Sequence, residues 1–498
     1  MLEEPRKWRP PGDTSPNPVD LGALDPYDLK ARPRFFLTQS TSIAATHPLA
    51  FPHPSHCELQ DRRKRLLGLL GPDALVLLRG ARPGRESRRF RQTNEFYYLT
   101  GLEAPGAYAV IDGRGGATTV YLPHRDEKRE RSDGPTVVAE EVDRVQAITG
   151  AHAVAGTDRL SLDIASRLFA APCTVYVLLA PAEGAATSRD GAFAAAAWEA
   201  SDPLGGTLTS EAALADALRF HYPHCPLRDL SPHLDQLRLY KSGHELELMR
   251  TAARLCGEAI IEAMRSTAVG VREYQLEAVA SFVHRQGGAA GPGYEAIVAG
   301  GANAWHGHYN ANDAMLQDGD LVLMDFAPDY GYYTSDIGRM WPVNGVFEPW
   351  QREIYGFVLD YLVALLARIK PGVTPEWVLN DASAAMRSNL EQRRFSKTIY
   401  RDACERALSF EGHLSHPVGM AVHDVGDYRN KEFEPGLVFS VDPMIWVPEE
   451  RLYIRIEDTV ALTERGLENL TGFVPREMDE IERLVGNSGL LQQWSERV

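Results

Sequence analysis

The sequence predicts two domains, an α/β amino-terminal domain followed by a second domain whose strands carry acidic residues. Its 498 residues exceed what one ordinary hydrophobic core organises. The first half alternates short apolar runs with helical stretches, whereas the second half places carboxylates within or at the ends of apolar strands. With 44% hydrophobic and 24% charged residues, the composition is that of a globular protein.

The amino-terminal domain begins with a helix predicted around residues 62–70. Strands are then predicted at 74–78, 108–112, 118–122 and 173–179. Helical stretches separate these strands, which is typical of an α/β fold. The alanine-rich segment 182–200 fits a helical insertion or a loop equally well.

The boundary between the domains is predicted shortly before a long amphipathic helix. Ser242 and Glu245 have the spacing of a capping box, which indicates where this helix begins. The first fifty residues are rich in Pro, Asp and Ser and are expected to form an extension. The predicted limits are 1–50 for the extension, 51–235 for the amino-terminal domain, 236–475 for the second domain and 476–498 for a tail.

Two carboxylates, Asp325 and Asp336, lie on the arms of a predicted hairpin. A Pro-Asp-Tyr-Gly turn at 328–331 separates the two arms. With those residues as the loop, Asp325 faces Thr334 and shares a strand face with Asp336. Carboxylates this close repel each other unless one is protonated or a cation lies between them. This segment alone fits a metal site and two solvated Asp residues equally well.

A histidine cluster follows further along the chain. His413, His416 and His423 fall within eleven residues around Gly419. A single His is usually a core or surface residue, but three interleaved with Gly and Pro favour a functional site.

Two predicted strands each supply one further acid. Asp442 ends the strand 436–442, and Glu457 ends the strand 452–457 on the same face as Arg455. A carboxylate on a buried strand is unfavourable unless it is paired or bound to metal. The sequence therefore predicts one hard-metal site from Asp325, Asp336, His416, Asp442 and Glu457.

Five motifs, in this order along the chain, resemble those of the aminopeptidase P and prolidase family of metallopeptidases. The likeness covers about residues 60 to 475, and the order of the motifs makes the resemblance more specific than any one motif would be. The motifs are residues 90–101, the stretch 299–309 that contains His308, Met324-Asp325 with residues 335–339, His416-x-x-Gly-x-x-x-His423, and residues 455–458.

The resemblance implies an α+β pita-bread catalytic domain that holds two divalent ions. In the family pattern Asp325 holds the first ion, Asp336 and Glu457 bridge both, and His416 and Asp442 hold the second. Oxygen donors with one imidazole and no thiolate suit Mn²⁺, with Co²⁺ or Zn²⁺ as alternatives.

The expected activity is hydrolysis of the bond between an amino-terminal residue and a following proline, as in Xaa-Pro aminopeptidases. A metal-activated water attacks the peptide carbonyl, and His308 and His423 are expected to stabilise the oxyanion and position the substrate. Arg455 could orient a ligand or contact substrate, or form an ion pair with Asp458 or another acid. The resemblance also suggests a homo-oligomer, in which the aromatic residues 96–98 lie near a neighbouring subunit's site or instead belong to a strand's core.

Two residues depart from the family pattern. Asp442 stands where the family has Glu, and the shorter side chain falls roughly 1.5 Å short of the metal. His413 is displaced by one residue from the family's histidine position, so no role is assigned to it.

Composition argues against several other classes of protein. A formal net charge of −16 disfavours nucleic-acid binding, which relies on Lys and Arg. The five cysteines are scattered, as in reduced cytoplasmic proteins, and neither a signal peptide nor a membrane span is expected. The remaining alternatives are a prolidase-like dipeptidase and a noncatalytic binding protein with the same fold.

Overall fold

The computed structural model describes residues 52–82, 89–204, 206 and 208–495. The predicted extension at 1–50 lies outside the described residues. The helices are α1 His56–Leu70, α2 Asn94–Thr100, α3 Glu127–Asp133, α4 Val142–Thr149, α5 Leu160–Ala170, α6 Arg189–Ala200, α7 Ser210–His221, α8 Ser231–Leu239, α9 Gly243–Ser266, α10 Glu273–Gln286, α11 Pro349–Leu366, α12 Pro375–Gln392, α13 Thr398–Leu408, α14 Met478–Leu484 and α15 Leu490–Ser495. The strands are β1 Ala74–Arg79, β2 Tyr108–Asp112, β3 Ala117–Leu122, β4 Ala153–Gly156, β5 Thr174–Val177, β6 Leu227–Asp229, β7 Gly291–Pro292, β8 Ile297–Gly300, β9 Leu321–Asp325, β10 Pro328–Asp329, β11 Ile337–Pro342, β12 Val438–Val441, β13 Met444–Val447, β14 Leu452–Arg455, β15 Glu457–Thr463 and β16 Gly466–Asn469.

A mixed six-stranded sheet organises the amino-terminal part of the chain, in the order β4-β3-β2-β1-β5-β6. The hairpin strands β1, β2 and β3 pair antiparallel, whereas β4, β5 and β6 join in parallel. Side chains from its strands, such as Val110 and Val177, pack with Leu168 of α5 and Leu218 of α7 into one core. The four predicted strands and the α/β class are confirmed.

An antiparallel sheet organises the second part of the chain, in the order β12-β15-β11-β9-β8, with β16 paired to β15. Its strands share one large core with α9, α11 and α12. The helix α9 begins with the predicted capping box, in which the Ser242 hydroxyl accepts from the Glu245 N–H and the Glu245 carboxylate accepts from the Ser242 N–H. This arrangement of strands and helices confirms the α+β expectation.

Two segments are better defined by the structure than by the sequence. Residues 189–200 form helix α6, so the helical alternative holds for this part of the alanine-rich segment. In the predicted tail, Ile481 of α14 is buried, and the Glu482 carboxylate accepts from the Phe347 N–H at 2.7 Å. Part of the tail therefore packs on the second domain. Among the described helices, none combines the length and the apolar character needed to span a membrane.

Candidate metal centre

Asp325 and Asp336 meet on one face of the central antiparallel sheet, as predicted, although the predicted register is wrong. Asp325 pairs with Gly338 rather than with Thr334. The difference is an even number of residues, so both carboxylates still point to the same side. The Tyr294 hydroxyl lies 2.5 Å from Oδ1 of Asp325 and 3.0 Å from Oδ1 of Asp336.

The register differs because the predicted turn residues belong to another pair of strands. Pro328 and Asp329 form β10 and pair with β7 instead of closing the hairpin. The chain reverses later, at a Tyr330–Tyr333 bridge where Gly331 and Tyr332 have positive φ angles of 64° and 73°. Gly331 tolerates this conformation, whereas Tyr332 is held in it by contacts from the amino-terminal part.

Three of the five predicted ligands form a compact group. One ligand atom each from Asp336, His416 and Glu457 lies within 4.8 Å of the others. His416 donates from Nδ1 to the Pro417 carbonyl at 3.2 Å, which leaves Nε2 at 3.3 Å from Oδ2 of Asp336. Such a backbone contact orients an imidazole for metal binding.

Glu457 is buried, and neither of its carboxylate oxygens has a hydrogen-bond partner. Burial, together with the negative charge of Asp336, raises the pKa of Glu457 well above its usual value. Burial and the charge of Asp325 likewise raise the pKa of Asp336. Carboxylates with unpaired buried oxygens are what a divalent cation would stabilise, so this donor set fits metal ions.

The neighbouring acid Asp458 is a useful contrast, because it faces away from this group. It accepts from Arg339 at 2.5 Å and from Arg476 at 2.9 Å. Although burial opposes ionisation, Arg339 holds the pKa of Asp458 below its usual value. Asp458 is therefore neutralised by protein groups, whereas Glu457 lacks a hydrogen-bonded partner of this kind.

Arg455 pairs with the acids of the centre and not with Asp458. Its guanidinium contacts Oδ2 of Asp325 and lies 3.5 Å from Oε2 of Glu457. Gly338 makes room for this arrangement, since a Cβ atom there would lie 3.0 Å from Nε of Arg455 and 3.1 Å from Cβ of Glu457. One cation leaves most of the acidic charge of the centre uncompensated.

Asp442 lies directly after β12, and it is outside the compact group of three ligand atoms within the described chain. Burial raises its pKa, with Arg455 and His416 acting in the opposite direction. Its carboxylate therefore lies close enough to Arg455 and His416 for both to affect its pKa. Whether it reaches a metal ion stays a prediction.

Of the two predicted catalytic histidines, His423 lies beside the predicted ligand His416, and His308 lies on from His423. The ring centroid of His423 is 4.2 Å from that of His416 and 6.2 Å from that of His308. Burial and the neighbouring histidine lower the pKa of His308 and of His423. His413 instead donates to the Ser415 carbonyl at 2.7 Å, so its ring is engaged with the backbone.

The sequence did not identify three residues of the centre, namely Tyr294, Ser188 and Asp190. Tyr294 follows a glycine-rich turn that carries no ligand pattern, and it joins Asp325 from 31 residues away. Ser188 and Asp190 contact His423 from more than 230 residues away. Only the folded chain brings these groups together.

The aromatic residues 96–98 are core residues of the chain's own helix α2. Phe96, Tyr97 and Tyr98 are all buried, and the Tyr98 hydroxyl donates to the Leu237 carbonyl at 3.3 Å. Tyr97 stacks on Tyr332 with ring centroids 3.5 Å apart. The alternative that they are core residues is confirmed, although they lie in a helix and not in a strand.

Comparison with known proteins agrees with this centre. Residues 247–464 match the model of metallopeptidase family M24, and residues 59–176 match that of the aminopeptidase P amino-terminal domain. The chain is 30% identical to the Xaa-Pro aminopeptidase of Escherichia coli, covering 86% of this chain and 98% of the relative. It is 29% identical to the Xaa-Pro aminopeptidase 3 of Mus musculus, covering 93% of each.

Solved structures agree with the predicted pita-bread fold. The zinc-substituted E. coli aminopeptidase P in complex with product is 28% identical, with a TM-score of 0.72, and the match covers 88% of this chain and 99% of that one. The family binds divalent metal ions, which is the chemistry that the buried acids of the centre require. The chain therefore belongs to the aminopeptidase P family of M24 metallopeptidases.

Proposed function

We propose that the protein is an Xaa-Pro aminopeptidase that releases the amino-terminal residue from peptides with proline in the second position. The observation that carries the proposal is the group of Asp336, His416 and Glu457, in which both oxygens of the buried Glu457 lack a hydrogen-bond partner. The ring of His423 lies 4.2 Å from that of His416, and the ring of His308 lies 6.2 Å from that of His423.

In the proposed assignment, Asp325, Asp336, His416, Asp442 and Glu457 hold two divalent ions, and Mn²⁺ is the preferred ion because the donors are mainly oxygen. Divalent ions held by these residues would supply Lewis acidity and would activate a water molecule. His308 and His423 contact the scissile carbonyl group and stabilise the charge that develops on its oxygen. Arg455 holds Asp325 in place and offsets part of the acidic charge.

Three peptides separate this function from its alternatives. The Mn²⁺-loaded protein is assayed with Gly-Pro, an Xaa-Pro-Xaa tripeptide and a longer Xaa-Pro peptide. Release of the first residue from the two longer peptides supports the aminopeptidase. Cleavage of Gly-Pro alone indicates a prolidase-like dipeptidase.

A noncatalytic binding protein would cleave none of the three peptides with any metal. The matched control is Asp336→Asn, which replaces a ligand carboxylate by an amide of the same shape. Activity that survives in this variant would argue against the assigned site, even if the wild-type protein cleaves all the peptides.

We further propose a cytoplasmic homo-oligomer. The scattered cysteines support the compartment, since all five are free. Sedimentation at working concentration tests the assembly. A single monomeric species would contradict the proposed homo-oligomer.

A further inference from the structure

Two residues at the start of α6, Ser188 and Asp190, contact His423, although they belong to the amino-terminal part of the chain. Oδ2 of Asp190 lies 2.7 Å from Nδ1 of His423. The Ser188 hydroxyl accepts from the backbone N–H of His423 at 3.2 Å. Both the ring and the backbone of this histidine are therefore held from the other domain.

The contact made by Ser188 replaces a local one. Ser188 occupies the N-cap position of α6, where a serine usually accepts from an N–H of its own helix. Here its side chain makes no such capping bond and accepts from His423 instead. The start of α6 thus gives up a helix-stabilising bond in favour of the histidine.

The contact made by Asp190 determines which ring nitrogen carries a proton. Although burial opposes ionisation, the hydrogen bond from His423 holds the pKa of Asp190 below its usual value. An ionised carboxylate can only accept, so Nδ1 of His423 must be the donor. Nε2, on the opposite edge of the ring, is then the nitrogen that Asp190 does not hold.

Buried ion pairs fix the position of α6, which matters because Asp190 itself is largely exposed. Arg189 donates to Oε1 of Glu95 at 3.0 Å and to Oδ1 of Asp235 at 3.3 Å. On the other side, Arg238 joins Glu183 to Asp424, the residue that follows His423. Ion pairs therefore hold both sides of the contact, namely the start of α6 and the segment that carries His423.

We propose that Asp190 is a positioning residue for His423, which orients the ring and places a proton on Nδ1. The proposal rests on the proposed function, because that function assigns His423 to the reaction. An acid on the far nitrogen of a functional imidazole has this effect in other hydrolases. Ser188 fixes the backbone of the same residue.

The first test is kinetic and uses the Mn²⁺-loaded, full-length protein with an Xaa-Pro-Xaa tripeptide. Asp190→Ala is expected to lower kcat on the order of 10- to 100-fold, as when a partner that orients a functional imidazole is removed, with KM little changed. Asp190→Asn keeps an acceptor without the charge and is expected to lie between Asp190→Ala and wild type. The matched control is Asp216→Ala, which removes an exposed acid from α7 of the same domain.

A double-mutant cycle separates positioning from a general structural role. In a His423→Ala background, adding Asp190→Ala is expected to cause no further loss of kcat, because Asp190 acts through His423. Full additivity of the two losses, or a kcat for Asp190→Ala equal to that of Asp216→Ala, would overturn the proposal.

A second readout is independent of activity. In protein labelled with ¹⁵N-histidine, the His423 signal, identified by its loss in His423→Ala, is expected to be that of the Nδ1–H tautomer. Asp190→Ala is expected to move it toward Nε2–H, and an unchanged tautomer would overturn the proposal. If the wild-type protein cleaves no Xaa-Pro peptide, the proposed function fails while this measurement still decides the role of Asp190.

Discussion

Asp442 is the residue at which the predicted metal site is weakest. Its carboxylate lies outside the group formed by Asp336, His416 and Glu457. One added methylene extends the reach by roughly 1.5 Å. We expect Asp442→Glu to bind the second metal ion at least about tenfold more tightly, a gain of about 1.4 kcal/mol. Calorimetric titration of the metal-free protein with Mn²⁺ measures this directly.

The control for this prediction is Asp442→Asn, which keeps the length of the side chain and removes its charge. It is expected to weaken the second ion further. An unchanged dissociation constant in Asp442→Glu would mean that the backbone of wild-type protein already brings Asp442 close enough to the metal.

His284 gives the protein a component of stability that depends on pH. It is buried in the last turn of α10, and neither ring nitrogen has a hydrogen-bond partner. Burial lowers its pKa from 6.5 to about 3. The unfolded chain therefore binds a proton below about pH 6.5 that the folded protein does not, so stability is lost as the pH falls.

Replacing His284 by Leu is expected to remove this component. Between pH 7 and pH 5 the wild-type protein should lose about 2 kcal/mol more free energy of unfolding than His284→Leu. Urea titrations of both proteins at the two pH values measure the difference. Parallel losses would show that the ring takes up a proton in the folded state.

At the residue scale, the sequence predicted the donors of the centre but not the groups that support them. Asp325, Asp336 and Glu457 could be found because strand alternation places acids on a face even when the register is unknown. Tyr294 and Asp190 could not, because no local pattern marks a side chain whose partner lies far away in sequence. These contacts form only when helices and strands that are distant in sequence pack against each other.

At the element scale, the turn between β9 and β11 is held by the amino-terminal part of the chain. Arg91 donates from Nε to Oδ2 of Asp329 at 2.5 Å and lies over the ring of Tyr332, 4.4 Å from its centroid. Oδ1 of Asp329 accepts from the Tyr332 N–H at 3.0 Å. These contacts explain how a tyrosine is kept at positive φ.

Asp329→Ala is expected to lower the free energy of unfolding by about 3 kcal/mol or more, since it leaves the mostly buried Arg91 without its partner. Equilibrium unfolding in urea measures the loss. The control is Asp133→Ala, which breaks an exposed pair with Arg129 and should change stability by less than about 0.5 kcal/mol. Equal effects of the two substitutions would mean that Asp329 does not stabilise the turn.

The same turn shows why the sequence misplaced the hairpin register. Pro328 and Asp329 have typical turn chemistry, and a local interpretation assigns them to the loop. In the fold they pair with Gly291 and Pro292, a partner strand that follows α10. The competing pairing is a tertiary contact, so sequence alone predicts the face of each carboxylate but not its partner.

At the scale of the whole molecule, the two predicted domains are joined through polar and charged side chains near the centre. Arg91 of the amino-terminal part pairs with Asp329, and Arg238 joins Glu183 of the amino-terminal part to Asp424. Buried pairs of this kind are costly to break singly, because each leaves an uncompensated charge. The amino-terminal domain thus helps to fix His423 in addition to packing as a separate sheet. The domain limits at 51–235 and 236–475 stay predictions.

Metal ions are expected to stabilise the whole fold, because the acids of the centre are buried together. Without ions, the raised pKa values of Asp336 and Glu457 favour protonation of these side chains. Adding Mn²⁺ to chelator-treated protein should raise the unfolding temperature, with about 2.7 kcal/mol of stabilisation per site at one hundred times the dissociation constant. The effect should weaken as the pH falls, since protons compete for the same oxygens. Thermal unfolding is measured with Glu457→Gln as the control. A Mn²⁺-induced shift in Glu457→Gln as large as that in wild type would place the ions elsewhere. A metal analysis that finds about two ions per chain in wild type, but not in Glu457→Gln, would assign them to this centre.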